Sequence, residues 1–132
     1  MQDVSKGTIG EMTVLENLVL AYLRSNKGSL LGYQTYEKVM KKALKELGIG
    51  LEKQLHSLVQ SLSGGQRQII ATVMATIAHT KLLLLDEHTS ALDPKTQKIL
   101  MDYTVKKINE LGITTLMITH NFDDAAKYGN RL

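Results

Sequence analysis

The chain has 132 residues, of which 43% are hydrophobic and 22% charged, with a formal net charge of +3 and no cysteine. This composition is typical of one small globular domain, and it excludes disulfides and thiol chemistry and argues against a disordered chain. No apolar stretch approaches the roughly 20 residues needed to span a bilayer, and the start lacks the basic-then-apolar pattern of a secretory signal.

The first half of the chain predicts packed helices after a polar loop, residues 1–10. Thr13-x-x-Glu16 is a capping box, in which the threonine hydroxyl accepts a helical amide and the glutamate reaches back, so a helix should run to about residue 24. A second helix has one apolar stripe and Gly48 as its stop. The stripe consists of Tyr36, Val39, Met40, Ala43, Leu44 and Leu47. A further short helix is predicted around Leu51, Leu55 and Leu58.

A Ser-Gly-Gly turn opens the next predicted helix, which ends near His79. Ser63 is placed to cap this helix, with Gly64 and Gly65 in its first turn. Glycine is unfavourable inside a helix, but two glycines without side chains let a phosphate approach the amides, where the helix dipole favours an anion. An ordinary Ser-Gly turn is the alternative if these three residues are considered alone.

Four consecutive leucines, Leu82 to Leu85, are followed directly by two carboxylates, Asp86 and Glu87. The leucines predict a strand buried on both faces of a parallel sheet, although a buried helix segment has the same periodicity. Carboxylates just past the carboxyl end of such a strand lie where open α/β sheets bind ligands.

Asp93 and Pro94 predict the start of a helix that Gly112 ends, with aspartate as N-cap and proline as the first helical residue. The β-branched segment 113–119 predicts a second strand, so that strand, helix and strand form a βαβ unit with parallel strands. His120 would then lie at the same edge of the sheet as the acidic pair.

Three motifs in this order resemble those of ATP-binding-cassette (ABC) ATPases. Residues 62–68, LSGGQRQ, are similar to the signature motif of that family. Residues 82–87, LLLLDE, are similar to its Walker B strand with the catalytic glutamate, and residues 90–93, SALD, to its D-loop. The resemblance implies an α/β fold of the P-loop NTPase type. It also implies a Q-loop region over residues 1–12, a helical subdomain over 13–61, and a part of the catalytic core with signature helix, Walker B, D-loop and H-loop over 62–132.

The resemblance further implies roles at the strand ends, with ATP and Mg²⁺ as ligands. Gln2 is similar to the Q-loop glutamine, which reaches the magnesium and the attacking water. Asp86 would hold Mg²⁺, Glu87 would orient and deprotonate the water, and His120 is similar to the H-loop histidine that contacts the γ-phosphate. His88 departs from the family, which usually has proline there; a tolerated loop substitution and metal binding are the two interpretations.

The signature residues have a different role by the same resemblance. Ser63, Gly64, Gly65 and Gln66 would close on the γ-phosphate of ATP held by the opposite subunit. Asp93 would act across the dimer in addition to capping its helix. The implied partner is therefore a second ATPase subunit that completes composite ATP sites.

The segment that would hold the phosphates of the chain's own nucleotide is missing. A P-loop needs G-x-x-x-x-G-K-[ST], and the sequence contains no Gly-Lys dipeptide. We therefore expect a fragment of an ABC nucleotide-binding subunit that begins at the Q-loop and is inactive alone. A degenerate member of the family is the alternative.

The implied function is ATP hydrolysis coupled to solute transport, with import favoured over export. Transmembrane permease subunits would be the further partners, which places the chain in the cytoplasm at the inner face of the cell membrane. No nucleic-acid partner is expected, because the lysines are scattered and a single Phe without Trp offers no stacking platform. The alternatives are a soluble ABC ATPase acting on nucleic acid or ribosomes, and a non-catalytic module that lends its signature face to another cassette.

Overall fold

The structure, a computed structural model, describes residues 7–25 and 32–131, and the predicted Q-loop residue Gln2 lies outside them. A helical part is followed by a βαβ unit, which confirms the predicted α/β fold class. The helices are α1 (Val14–Ser25), α2 (Tyr33–Lys45), α3 (Gly64–Ile77), α4 (Pro94–Leu111) and α5 (Phe122–Tyr128), with short 3-10 helices at Leu51–Gln54 and Val59–Ser61, and the strands are β1 (Leu82–Asp86) and β2 (Thr114–Ile118). None of the helices in these two ranges is long and apolar enough to cross a membrane.

The start of α1 is fixed by the predicted capping box. The Thr13 amide donates to Oε2 of Glu16 at 2.7 Å, and the Glu16 amide donates to the Thr13 hydroxyl at 3.2 Å. The fully buried Asn17 then ties the preceding segment to the helix, because its amide group donates to the carbonyl of Ile9 at 3.0 Å and accepts from the amide of Ile9 at 2.7 Å.

The main hydrophobic core joins α1, α2, α3 and α4, and most of the predicted α2 stripe faces it. Tyr36, Met40 and Leu44 are buried. Val39 is 41% exposed, against the prediction, because successive residues on a helix are turned by about 100° and Val39 stands at the margin of the buried face. The short helix expected near residue 55 is replaced by the two 3-10 helices, and Leu58 is exposed. The buried core residues are Val14, Leu15, Leu18, Met40, Leu44, Leu47, Leu51, Leu55, Val59, Leu62, Ile69, Ile70, Val73, Leu100 and Tyr103.

The βαβ unit is built as the sequence predicts. β1 and β2 pair in parallel, with Leu82 opposite Thr114 and Asp86 opposite Ile118. Between them, α4 begins at its N-cap Asp93 and ends at Gly112, whose φ of 63° is the left-handed conformation that glycine adopts without steric cost.

The prediction that β1 is buried on both faces is wrong. Leu83 and Leu85 pack against apolar residues of α3 and α4, but Leu82 is 56% exposed and Leu84 66% exposed. The exposed face continues onto β2 through Leu116 and Ile118. Because helices cover only one face of the two-stranded sheet within the described ranges, the second leucine pair has nothing to pack against there.

The helix α5 was not predicted. The side-chain oxygen of its N-cap, Asn121, accepts from the amides of Asp123 at 3.0 Å and Asp124 at 3.4 Å. Asparagine followed by acidic residues in the first turn is a helix-start pattern, so the sequence did contain a signal for this element.

The 132-residue polypeptide should self-associate through the exposed sheet face, because contiguous apolar surface and a free strand edge both favour pairing with another chain. Light scattering at several concentrations should show a mass that rises with concentration. The double substitution Leu84→Lys and Leu116→Lys should shift the protein toward monomer. Leu20→Lys, which alters an exposed leucine on α1, is the matched control and should not. A wild-type chain that stays monomeric at every concentration would contradict this expectation.

Candidate functional site

Glu87 and His120 meet at the carboxyl ends of the two strands. The Glu87 amide donates to the carbonyl of Ile118 at 3.0 Å, which extends the parallel ladder by one residue. Nδ1 of His120 lies 3.1 Å from Oε1 of Glu87. Since a carboxylate only accepts, Nδ1 carries the proton in this contact. The shared edge was predicted from the sequence, whereas the direct contact was not.

Asp86, the last residue of β1, is exposed at the same edge. Its carboxylate fits magnesium, because Mg²⁺ is bound through one or two carboxylates together with waters and substrate phosphates. Residues 7–25 and 32–131 hold no cluster of three or more His, Cys, Asp or Glu side chains, so a site built wholly from protein ligands is absent from this part of the chain.

The backbone of Glu87 has a φ of 43°, in the left-handed region that L-residues other than glycine rarely adopt. This conformation reverses the chain after β1. The turn is closed by the Ser90 amide, which donates to the Glu87 carbonyl at 3.0 Å, and by the Leu92 amide, which donates to the Thr89 carbonyl at 3.1 Å. We call residues 87–92 the strand-end turn.

His88 is turned into the protein. Burial lowers the pKa of its imidazole, against an opposing effect of the Asp124 carboxylate. Its Nε2 atom is buried without a hydrogen-bond partner in the described part of the chain. His88 belongs to no cluster of three or more potential metal ligands within residues 7–25 and 32–131, which favours the interpretation as a loop residue.

The signature segment begins α3 with a second capping box. The Ser63 hydroxyl accepts from the Gln66 amide at 3.2 Å, and Oε1 of Gln66 accepts from the Ser63 amide at 3.0 Å. The serine cap was predicted, but the reciprocal use of Gln66 was not. This box leaves the first amides of α3 oriented outward along the helix axis.

The two signature glycines differ in surroundings. A methyl group placed on Gly64 would meet nothing within 4 Å, so its backbone is open to an approaching group. A methyl group on Gly65 would lie 2.9 Å from Cδ2 of Leu92 and 3.1 Å from the carbonyl oxygen of Ala91. The sequence analysis explained both glycines by the close approach of a phosphate. The structure adds a second reason for glycine at position 65, which is close packing against Ala91 and Leu92.

Gln68, one turn further along α3, touches the strand-end turn at both ends and was missed as a functional candidate. Its Nε2 donates to the carbonyl of Glu87 at 3.4 Å, and its Oε1 accepts from the amide of Ala91 at 3.3 Å. No sequence pattern indicates which side of a helix will face a turn some 19 residues away.

Asp93 has the structural role that was predicted. Its carboxylate accepts from the amides of Lys95 and Thr96, both at 3.1 Å, and the hydrogen bonds with Thr96 hold the pKa of that carboxyl below its usual value. Its role across a dimer stays a prediction.

The acidic edge is open surface. A cavity of about 620 Å³ lies between α4, β2 and α5, but Asp86, Glu87 and His120 are not among its lining residues. Asp86 and His120 are exposed and Glu87 is half-buried, so this edge can be reached from solvent.

A family model described as "ABC transporter" matches residues 2–90 of the chain. The chain belongs to the ABC transporter family. It is 47% identical over 135 residues to the tyrosine transport ATP-binding protein of Clostridioides difficile. The aligned region covers 99% of the chain and 53% of that relative. It is 38% identical over 120 residues to the thiamine import ATP-binding protein ThiQ of Photobacterium profundum. That aligned region covers 91% of the chain and 47% of the relative.

Solved ABC structures agree with this assignment. The ATP-binding cassette MJ0796, solved as a dimer in a post-hydrolysis state with ADP and Pi, superposes with a TM-score of 0.78 at 29% identity. The superposition covers 95% of the chain and 52% of the cassette. The ABC chain described here therefore spans about half the length of the family members it matches.

Gly65→Ala should destabilise an ATP-binding subunit that carries this segment, because the new methyl group would crowd Cδ2 of Leu92 at 2.9 Å and the carbonyl oxygen of Ala91 at 3.1 Å. We expect the free energy of unfolding to fall by about 1–3 kcal/mol, as for other overpacked sites. Gly64→Ala is the matched control; it should change this free energy by less than about 1 kcal/mol. Thermal or denaturant unfolding of both variants measures the difference, and equal effects would contradict the packing reason.

Proposed function

We propose that these 132 residues are the Q-loop to H-loop part of the ATP-binding subunit of an ABC importer. In that intact subunit, which would also supply a P-loop, they bind and hydrolyse ATP to drive solute transport. The observation that carries the proposal is the contact of His120 with Glu87 at 3.1 Å beside the exposed Asp86. The names of two similar proteins, which refer to tyrosine transport and thiamine import, support a transporter role.

Glu87 is the proposed general base. A carboxylate at an exposed strand end can accept a proton from a water placed beside it, and such proton transfer contributes about 10²–10⁴-fold to rate. His120, which follows the neighbouring strand, would hold that carboxylate through Nδ1, and its other ring nitrogen would contact the γ-phosphate. The fixed register of β1 and β2 keeps both groups in place.

The proposed ligands are ATP and Mg²⁺. Asp86, together with Gln2, would hold the metal, whose charge neutralises the phosphates when it is bound. Gln2 lies outside the described residues, so its part rests on the resemblance alone. Asp86 points from the strand end without enclosure by other acids, which suits a metal that keeps waters and phosphate oxygens as ligands.

The signature segment is proposed to act on the nucleotide of a second subunit. Ser63, Gly64, Gly65 and Gln66 form the start of α3, where outward amides and the helix dipole favour an anion. The open space at Gly64 allows a phosphate to come close. Asp93 would contact the opposite subunit next to this interface.

The proposed assembly follows from these two half-sites. Each chain offers Glu87 to one nucleotide and the signature residues to another, so a second ATPase subunit is needed to complete either site. The dimeric state of the similar cassette MJ0796 supports this arrangement. Transmembrane permease subunits are the further proposed partners, and the location is the cytoplasmic face of the cell membrane.

In the intact subunit, Glu87→Gln should lower ATP turnover by at least about 100-fold, because glutamine keeps the shape but cannot accept the proton. Nucleotide affinity should stay within a few-fold of wild type. His120→Ala should also suppress turnover. Glu110→Gln, at an exposed ion pair with Lys107 on α4, is the control and should be near wild type. Phosphate release and nucleotide binding measure these effects, and near-normal turnover in Glu87→Gln would remove the base role.

The 132-residue polypeptide alone should not hydrolyse ATP. Phosphoryl transfer depends mainly on positioning and charge neutralisation, and no P-loop sequence is present to cradle the β- and γ-phosphates. Phosphate release should equal the buffer background with and without Mg²⁺. Magnesium-dependent hydrolysis that Glu87→Gln abolishes would show that a P-loop is dispensable.

A further inference from the structure

We propose that Gln68 is a positioning residue for Glu87. Its side-chain amide holds the strand-end turn against α3 and thereby fixes the backbone that carries the carboxylate. This inference deepens the proposed function, since it takes the role of Glu87 as the base from there.

The amide of Gln68 meets two backbone groups of one turn. Nε2 donates to the carbonyl of Glu87 at 3.4 Å, and Oε1 accepts from the amide of Ala91 at 3.3 Å. Only an amide side chain offers a donor and an acceptor side by side in one plane. Both contacts leave the partly buried Gln68, and they end near opposite ends of the strand-end turn, so the side chain bridges this turn as well as linking it to the helix.

The strand-end turn needs such support. A non-glycine residue at a φ of 43° is held by its surroundings, because this conformation costs of order 1–3 kcal/mol. On the sheet side, the Glu87 amide is held by the carbonyl of Ile118 at 3.0 Å. On the helix side, the Glu87 carbonyl accepts from Ser90 within the turn and from Gln68 on α3. Gln68 thus links the Glu87 backbone to the helix by a hydrogen bond.

A separate contact shows that α3 and the turn are packed closely. Gly65 lies so near Ala91 and Leu92 that a single added methyl group would collide with both. The first turn of α3 therefore touches the turn by packing, and the second touches it by hydrogen bonds. Removal of the Gln68 amide should loosen the geometry of Glu87 while Gly65 and Ile118 keep the fold together.

The effect of Gln68 on catalysis should appear in turnover and not in nucleotide binding. In the intact subunit, Gln68→Met, which keeps the length but removes both hydrogen bonds, should lower kcat about tenfold with less than a twofold change in the KM for ATP. Gln68→Glu keeps the acceptor for Ala91 but places an oxygen against the Glu87 carbonyl, so it should not restore kcat. Gln54→Met alters an exposed glutamine that accepts from the Ser57 hydroxyl in the helical part, and it should leave kcat unchanged.

A double substitution separates positioning from a general loss of stability. In a Glu87→Gln subunit, the further change Gln68→Met should not lower the residual single-turnover rate, because residues that act as a unit are non-additive. The inference would be overturned if Gln68→Met lowered the single-turnover rate in the Glu87→Gln subunit as much as it lowers kcat in the wild type. It would also be overturned by an unchanged kcat in Gln68→Met, or by a wild-type kcat in Gln68→Glu.

Hydrogen exchange tests the same inference without catalysis. Exchange at the Ala91 amide should be faster in Gln68→Met and unchanged in Gln54→Met; equal rates in wild type and Gln68→Met would refute the contact. If the wild-type subunit shows no magnesium-dependent ATPase activity, the proposed function fails, and the exchange result still decides whether Gln68 holds the turn.

Discussion

The parallel pairing of β1 with β2 is the interaction on which the candidate site depends. Its register sets Asp86 opposite Ile118, so Glu87, directly after β1, and His120, two residues after β2, emerge at one edge within hydrogen-bond distance. A shift of one residue would move His120 by about 3.3 Å and turn the side chains of β2 to the opposite face. The packing of Met117 in one apolar cluster with Leu83 and Leu85 holds this register, because a one-residue slip of β2 would turn Met117 away from that cluster.

Much of the fold follows from local sequence signals. The capping box at Thr13, the Ser63 and Asp93 caps and the Gly112 stop each place a helix boundary through contacts within a few residues, and all four are found as predicted. The shared edge of the two strands followed from the rule that parallel strands end together. The environment of Leu84 did not follow, because four leucines indicate an apolar strand without showing how many of its faces are covered.

The candidate site was predicted as a set of residues but not as a set of contacts. Glu87, His120 and the signature glycines were identified by resemblance, whereas the contacts of Gln68 and Gly65 with the strand-end turn join residues 19 to 27 positions apart. Such long-range geometry has no periodicity to reveal it. α3 is the element that makes these contacts, and it also presents the signature motif. In the proposed assembly one helix thus belongs to two half-sites, and its contacts link the signature segment to the acidic edge.

The left-handed backbone of Glu87 has a consequence for how this segment can change. At a φ of 43°, glycine or asparagine would relieve strain, and neither could serve as a base. Selection for folding stability alone would therefore drive this position away from glutamate. With Glu87 as the proposed base, selection for hydrolysis would act in the opposite direction and retain the acid. Two libraries of variants, one selected for thermal stability and one for transport, should therefore differ at this residue first. Position 87 would then distinguish active variants from well-folded but inactive ones.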